Sequence, residues 1–159
     1  FIKYYALTMA DITTPSNSSD TQIFNRILIV DDEPEAREIF GEILLRYFDF
    51  VVDYAGDGRE CIEKVDNHDY DLVLLDIFMP NMDGFETLQH FKNKADKKPK
   101  FVVISNMGGD LVIKQLMGLG AHSYAAKSDT DVDDLVDIVK NVLFNTAITN
   151  KSILVDMLN

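Results

Sequence analysis

The chain has 159 residues, with 27 Asp and Glu against 15 Lys and Arg and a formal net charge of −12. That length suits one domain with its own core and a short appendage, and 47% hydrophobic with 26% charged residues is globular rather than disordered composition. The acidic balance argues against a nucleic-acid-binding face and against docking on anionic lipid, both of which need clustered Lys and Arg; a carboxylate surplus serves either solubility or a bound cation, and composition does not choose.

A single cysteine, Cys61, cannot form an internal disulfide or a multi-thiolate metal site. No secretory signal is visible, so a reducing cytoplasm is expected. No apolar run approaches the roughly 18 residues of a membrane span. The sequence opens on Phe1, so the true start is expected at Met9 or upstream. Residues 11–25 are rich in Ser, Thr, Asn and Asp, which predicts a flexible leader over 1–25.

At Arg26 the texture changes. Arg26-Ile27-Leu28-Ile29-Val30 reads as a buried strand, followed by Asp31-Asp32-Glu33 and by Pro34 at the first position of a helix. Ala36, Ile39, Phe40, Ile43, Leu44 and Tyr47 recur at three- and four-residue steps, an amphipathic pattern. Residues 50–54 form a second strand and 58–65 a second helix, with Cys61, Ile62 and Val65 inward. Residues 71–76 form a third strand, apolar at four successive positions, as in a parallel sheet covered on both faces. Asp83-Gly84-Phe85 opens a third helix through Leu88 and Phe91, and 92–100 is a basic, Pro-containing loop. Residues 101–105 form the fourth strand, 111–117 a fourth helix closed by Gly118 and Gly120, and 122–126 the fifth strand. Val132, Leu135, Val136, Val139, Val142 and Leu143 define the fifth helix. Five strands alternating with five helices predict a doubly wound α/β domain over 26–145. The tail, 146–159, carries an apolar Ile153-Leu154-Val155 that suits packing or fraying equally.

In such a fold ligands bind at the carboxyl ends of the strands, where strand order reverses. The first strand delivers Asp31 and Asp32 there, the third Asp76, the fourth Ser105, and the fifth Lys127. Three adjacent carboxylates stay ionised only beside a cation. Oxygen donors without His or Cys point to Mg²⁺. Lys127 and Ser105 suit phosphoryl oxygens, and a carboxylate can itself be the nucleophile. Each residue also has a plainer reading: Asp31-Asp32 as helix capping, Asp76 as a turn residue. Joint placement on four strand ends favours the site. His68, His90 and His122 lack metal-site spacing and read as surface or satisfied core residues. Asp129, Asp131, Asp133, Asp134 and Asp137 read as helix-start charge and solubility.

Ile29-Val30-Asp31-Asp32-Glu33-Pro34, Leu74-Leu75-Asp76-Ile77-Phe78-Met79-Pro80-Asn81-Met82-Asp83-Gly84, Val103-Ile104-Ser105 and 120–127 together resemble the receiver domain of bacterial two-component response regulators, over 26–144. The resemblance implies a flavodoxin-like sheet of order 2-1-3-4-5. It implies Asp76 as phosphoacceptor from a sensor histidine kinase or histidine phosphotransfer protein. Mg²⁺ would be held by Asp32, Asp76 and the Phe78 carbonyl, with Asp31 acting through water. Lys127 and Ser105 would bind phosphoryl oxygens, and Ser105 with Tyr124 would form a switch altering the face of the fourth helix, fifth strand and fifth helix. Exposed apolar groups there suit a phosphorylation-dependent homodimer or an unknown downstream protein; no direct nucleic-acid contact is expected.

The chain departs from the family pattern at three places. Ser128 stands where Pro commonly follows the Lys in a cis peptide; a non-proline cis bond costs about 2.5–4 kcal/mol, so a trans bond is expected. Asn106 replaces a small residue after Ser105, and bulky Phe78 follows the acceptor by two. Few residues follow the fifth helix, so a single-domain receiver is expected, signalling through protein contact and not a classical enzyme. The alternatives are a degenerate receiver used as a docking module, or an aspartate-nucleophile phosphohydrolase. The latter needs Asp-x-Asp and a cap insertion, whereas Asp31 and Asp32 are adjacent.

Overall fold

The structure, a computed structural model, describes residues 25–94, 98–106 and 108–144. The expected leader, apart from residue 25, and the expected tail lie outside the described residues.

The elements alternate without interruption: β1 (Arg26–Val30), α1 (Pro34–Tyr47), β2 (Val51–Ala55), α2 (Gly58–Asn67), β3 (Leu72–Leu75), α3 (Gly84–Lys92), β4 (Lys100–Ser105), α4 (Asp110–Gly118), β5 (Ser123–Ala126) and α5 (Val132–Phe144). All strand pairs are parallel, in the order β2-β1-β3-β4-β5. This is the flavodoxin-like sheet that the family resemblance implies. Observed ends differ from the expected ones by one or two residues, as helix and strand ends commonly do.

The continuous apolar runs of the strands resolve into two cores, because successive strand side chains point to opposite faces. Leu28, Val30, Val73, Leu75, Phe101 and Val103 pack with Cys61, Leu88, Phe91 and Leu116 of α2, α3 and α4. Ile27, Ile29, Leu72, Leu74, Val102 and Ile104 pack with Leu44 of α1 and Leu135, Ile138 and Val139 of α5. Burial pushes the Cys61 thiol up to about 12. The amphipathic reading of α1 is only partly met, since Ile39 and Tyr47 of the expected stripe are exposed.

Caps and close approaches fix the loops around the strand ends. Asp57 caps α2 by accepting from Glu60 N, and Asp83 and Glu86 form a reciprocal capping box on α3. Asp131 Oδ1 accepts from Asp134 N at the start of α5, in line with the helix-start role of that acidic cluster. The Asp31-Asp32 doublet does not cap α1: its N-cap is Glu33, with no side-chain cap bond, because Asp31 turns into the strand-end cluster instead. At the far end of α5, Lys100 Nζ donates to the Val142 carbonyl at 2.6 Å, satisfying a helix-terminal acceptor. Among the described residues no helix is long and apolar enough to cross a membrane, and no peptide bond is cis, including the one between Lys127 and Ser128.

Gly84 sets how closely α3 approaches the end of β3. Its amide donates to the Ile77 carbonyl at 2.9 Å, and an added Cβ would lie 2.5 Å from the Asp76 carbonyl oxygen and 2.8 Å from Ile77 Cα. Those are backbone atoms and cannot rotate away. Gly84→Ala is therefore expected to lower stability by about 1–3 kcal/mol, measured as a lower urea midpoint at unchanged slope.

Candidate functional site at the strand ends

β1 and β3 are neighbours from which the chain departs in opposite directions across the sheet, toward β2 and toward β4. A crevice opens where such connections diverge, and the residues just past those strands line it. Asp31 and Asp32 follow β1, and Asp76 follows β3. One carboxylate oxygen from each lies within 4.8 Å of the others. Asp31 and Asp76 are buried, at 1% and 5% exposure, whereas Asp32 faces solvent.

Lys127, from the end of β5, reaches this cluster. Its ammonium lies 2.6 Å from Asp31 Oδ2 and 3.1 Å from Asp76 Oδ2, bridging two carboxylates delivered by different strands. The remaining oxygens are held by the main chain: Glu33 N donates to Asp31 Oδ1 at 3.0 Å, and Ile77 N to Asp76 Oδ1 at 2.7 Å. Burial holds the Asp76 carboxyl above its ordinary range, an effect that Lys127 and the Ile77 amide offset only in part and that Asp31 reinforces. Burial opposes charge on Lys127 as well, but its bond to Asp31 and the charge of Asp76 outweigh this and raise its pKa.

The other expected residues are placed less uniformly. Ser105 ends β4 fully buried, and its carbonyl accepts from Lys127 N at 3.1 Å. Tyr124 on β5 is half-buried, its hydroxyl 3.4 Å from the Ser105 carbonyl and beside Gly108. Burial, aided by Asp129, raises the Tyr124 pKa. Phe78 is 57% exposed between buried Ile77 and Met79, so its ring stands at the rim. Asn106 is exposed. The histidines lie elsewhere: His68 is exposed, and His122 Nδ1 accepts from Phe101 N at the opposite end of the strands. His90 departs from expectation, since its Nε2 is buried with no hydrogen-bond partner among the described residues.

Two contributors lie outside the expected site residues. Arg37 Nη1 donates to the Asp31 main-chain oxygen, six residues back across a turn. Asn81 adopts a left-handed conformation, φ 64°, and its Nδ2 donates to Asp57 Oδ2 at 2.8 Å, tying the loop after β3 to the cap of α2. Asn tolerates that conformation better than most residues, and the segment Pro80-Asn81 is a turn signal.

The donor set is chemically specific. Three carboxylates with no nitrogen or sulfur ligand suit a small hard cation that keeps part of its water, and Mg²⁺ fits it. The lysine supplies the fixed positive charge that an additional anion would meet.

Comparison with known proteins places the chain in a family. The response regulator receiver domain family matches residues 27–140. The chain is 32% identical over 115 residues to the gliding motility regulatory protein of Myxococcus xanthus, covering 72% of this chain but only 15% of that protein's length. It is 35% identical over 103 residues to the chemotaxis protein CheY of Bacillus subtilis, covering 65% of this chain and 85% of CheY. Among solved structures it is similar to a chain of the CheX–CheY–BeF3–Mg²⁺ complex from Borrelia burgdorferi, with a TM-score of 0.69, 31% identity, and 74% and 88% of the two chains covered.

The raised pKa of Asp76 gives a signed prediction. Its folded-state value lies above the ordinary 3.8, so its favourable contribution is complete below that value and is lost as pH rises through the folded one. In EDTA at pH 7, Asp76→Asn is expected to melt at a higher temperature than the wild type. The difference should shrink as pH falls toward 3.8. Thermal unfolding followed by circular dichroism across that range measures both.

Proposed function

The chain belongs to the response regulator receiver family of two-component signalling, and on that premise we propose that it accepts a phosphoryl group on Asp76 from a phosphohistidine of a sensor kinase or phosphotransfer protein. The observation that carries this reading is the buried Asp76 carboxylate, held within 4.8 Å of two others and 3.1 Å from an ammonium.

Asp31, Asp32, Asp76 and the main-chain carbonyl of Phe78 would hold Mg²⁺. Bound there, the ion neutralises the clustered carboxylates and draws charge from phosphoryl oxygens. An Asp76 oxygen forms the new bond to phosphorus while the donor's nitrogen–phosphorus bond breaks, and its electron pair and a proton remain on the imidazole. Lys127 keeps its place beside Asp76 and pairs with a phosphoryl oxygen. Ser105 turns its hydroxyl toward another.

The readout is a change of surface. Tyr124 contacts the Ser105 carbonyl and adjoins Gly108, so displacement of Ser105 frees the tyrosine to rotate. α4 is the element prepared to respond: its N-cap, Gly109, is at φ 114° with no side-chain cap, and of its nine residues only Leu116 is buried. Few buried side chains and an N-terminus without a side-chain cap mark a segment of low local stability. Leu111, 83% exposed on α4, and exposed Val132 on α5 give the α4–β5–α5 face an apolar surface for a downstream protein or a second copy. Phosphorylation thus biases a two-state element by adding charge at one end of the sheet.

Incubation with acetyl phosphate and Mg²⁺ tests the reading. The wild type is expected to gain one phosphoryl adduct, released by neutral hydroxylamine, and to gain none in EDTA or as Asp76→Asn. An unmodified wild type would instead favour a docking module that works without phosphorylation.

Phe78 supplies a second test. An apolar ring at the rim lends no hydrogen bond to an attacking water and excludes it from one side of the acyl phosphate. Phe78→Asn is expected to lose its phosphoryl group about tenfold faster, or about 1.4 kcal/mol in barrier, in a decay assay after donor removal. Equal rates would sink the shielding role.

A further inference from the structure

Arg37 is a half-buried arginine on α1. It is the fourth residue of α1, and its amide bonds the Glu33 carbonyl at 3.2 Å, so its backbone is fixed in the first turn. Among the described residues its guanidinium forms no ion pair, although Glu33 and Glu38 are near in sequence. Glu60, facing the same corner, is committed to Gly56 N at 2.7 Å. The hydrogen bond that Arg37 makes is to the main-chain oxygen of Asp31.

The place of that oxygen matters. β1 and β2 pair as far as Val30 and Ala55, and Asp31 N still donates to the Ala55 carbonyl at 3.1 Å. One step later the strands have parted, and among the described residues no main-chain donor meets the Asp31 carbonyl. A carbonyl at a strand end without its ladder partner leaves its peptide plane free to tilt, or to turn toward water. Arg37 takes the place of the missing strand. The plane it holds is the Asp31–Asp32 peptide group, whose rotation changes ψ of Asp31 and φ of Asp32 together. Unless the two angles change equally and oppositely, tilting it swings both carboxylates relative to Asp76, whose oxygen lies within 4.8 Å of theirs.

We propose that Arg37 is a positioning residue for the cation site: by pinning the peptide group between Asp31 and Asp32 it aims both carboxylates at the position shared with Asp76. The proposal rests on the reading of these three carboxylates as the Mg²⁺ site.

Geometry and charge predict opposite signs, which makes the role testable. A guanidinium close to a cation site repels the cation, so if Arg37 acted through its charge its removal would tighten Mg²⁺ binding. If it acts by holding the peptide group, removal weakens binding, as loss of groups that orient metal ligands commonly does. Titration of the full chain with MgCl2 by isothermal calorimetry, at constant ionic strength, separates the two. Arg37→Ala is expected to bind Mg²⁺ about tenfold more weakly than the wild type. Arg37→Lys, which keeps one donor of similar reach, is expected to recover most of that loss. Circular dichroism and melting in EDTA check that each variant is folded, and Arg37→Lys carries the comparison if Arg37→Ala is not. Wild-type binding that is abolished in Asp32→Asn establishes the carboxylate site independently. With that in hand, Arg37→Ala binding as tightly as the wild type or tighter, or Arg37→Lys binding as weakly as Arg37→Ala, overturns the positioning role. A wild type that binds no Mg²⁺ overturns the site reading together with it.

Discussion

The arrangement on which the rest of the structure depends is the ammonium of Lys127 lying between Asp31 and Asp76. Two buried carboxylates a few ångströms apart, with a third beside them, repel one another and lose hydration. Such a cluster persists only where positive charge compensates it. Lys127 supplies one unit from β5, two strands across the sheet from β3, so closing the cluster requires the sheet to be complete through β4. One lysine balances part of three carboxylates, and the balance remaining suits a divalent cation. Charge on the site and completeness of the fold are therefore coupled.

Around that cluster the molecule divides into a rigid part and a labile part. The end of β3 is braced by Gly84 against the Asp76 and Ile77 backbone, by the capping box of α3, and by Asn81 reaching Asp57. Gly58 likewise lets α2 approach the Met82 carbonyl, 2.9 Å from an added Cβ. These contacts admit little displacement, and they surround the proposed acceptor. On the other flank, α4 starts at an uncapped glycine and buries one side chain. Tyr124 and Ser105 join the two parts. A fixed acceptor next to a weakly held helix is the division of labour that a charge-driven switch needs, since energy added at the rigid end is released where resistance is least.

Most of the architecture is legible in local pattern. Ile27 to Val30 and Leu72 to Leu75 are apolar at every position because helices cover both faces of the sheet, and that alone implies parallel strands. The convergence of Asp31, Asp32, Asp76 and Lys127 is legible through a topological rule, that strand ends at a reversal point share a crevice. Other features resist such reading. The capping role open to Asp31 and Asp32 fits their place before Pro34, yet Glu33 is the N-cap, since the pull of Lys127 on Asp31 is a long-range effect. Ile39 and Tyr47 belong to the helical stripe of α1 but are exposed. His90 buries Nε2 without a partner, which no spacing foretells.

The sequence by itself determined the fold class, the strand and helix order, and the identity of the charged residues at the strand ends, because each follows from periodicity or from position after an apolar run. Only the tertiary structure decided which main-chain groups hold those charges in place. That Arg37 substitutes for a strand at the Asp31 carbonyl, that Lys100 closes the end of α5, and that Gly84 sets the distance of α3 from Asp76 all depend on where one element passes another. Such contacts join residues whose separation in sequence carries no period, and they exist only once the sheet has brought its edges and helices together.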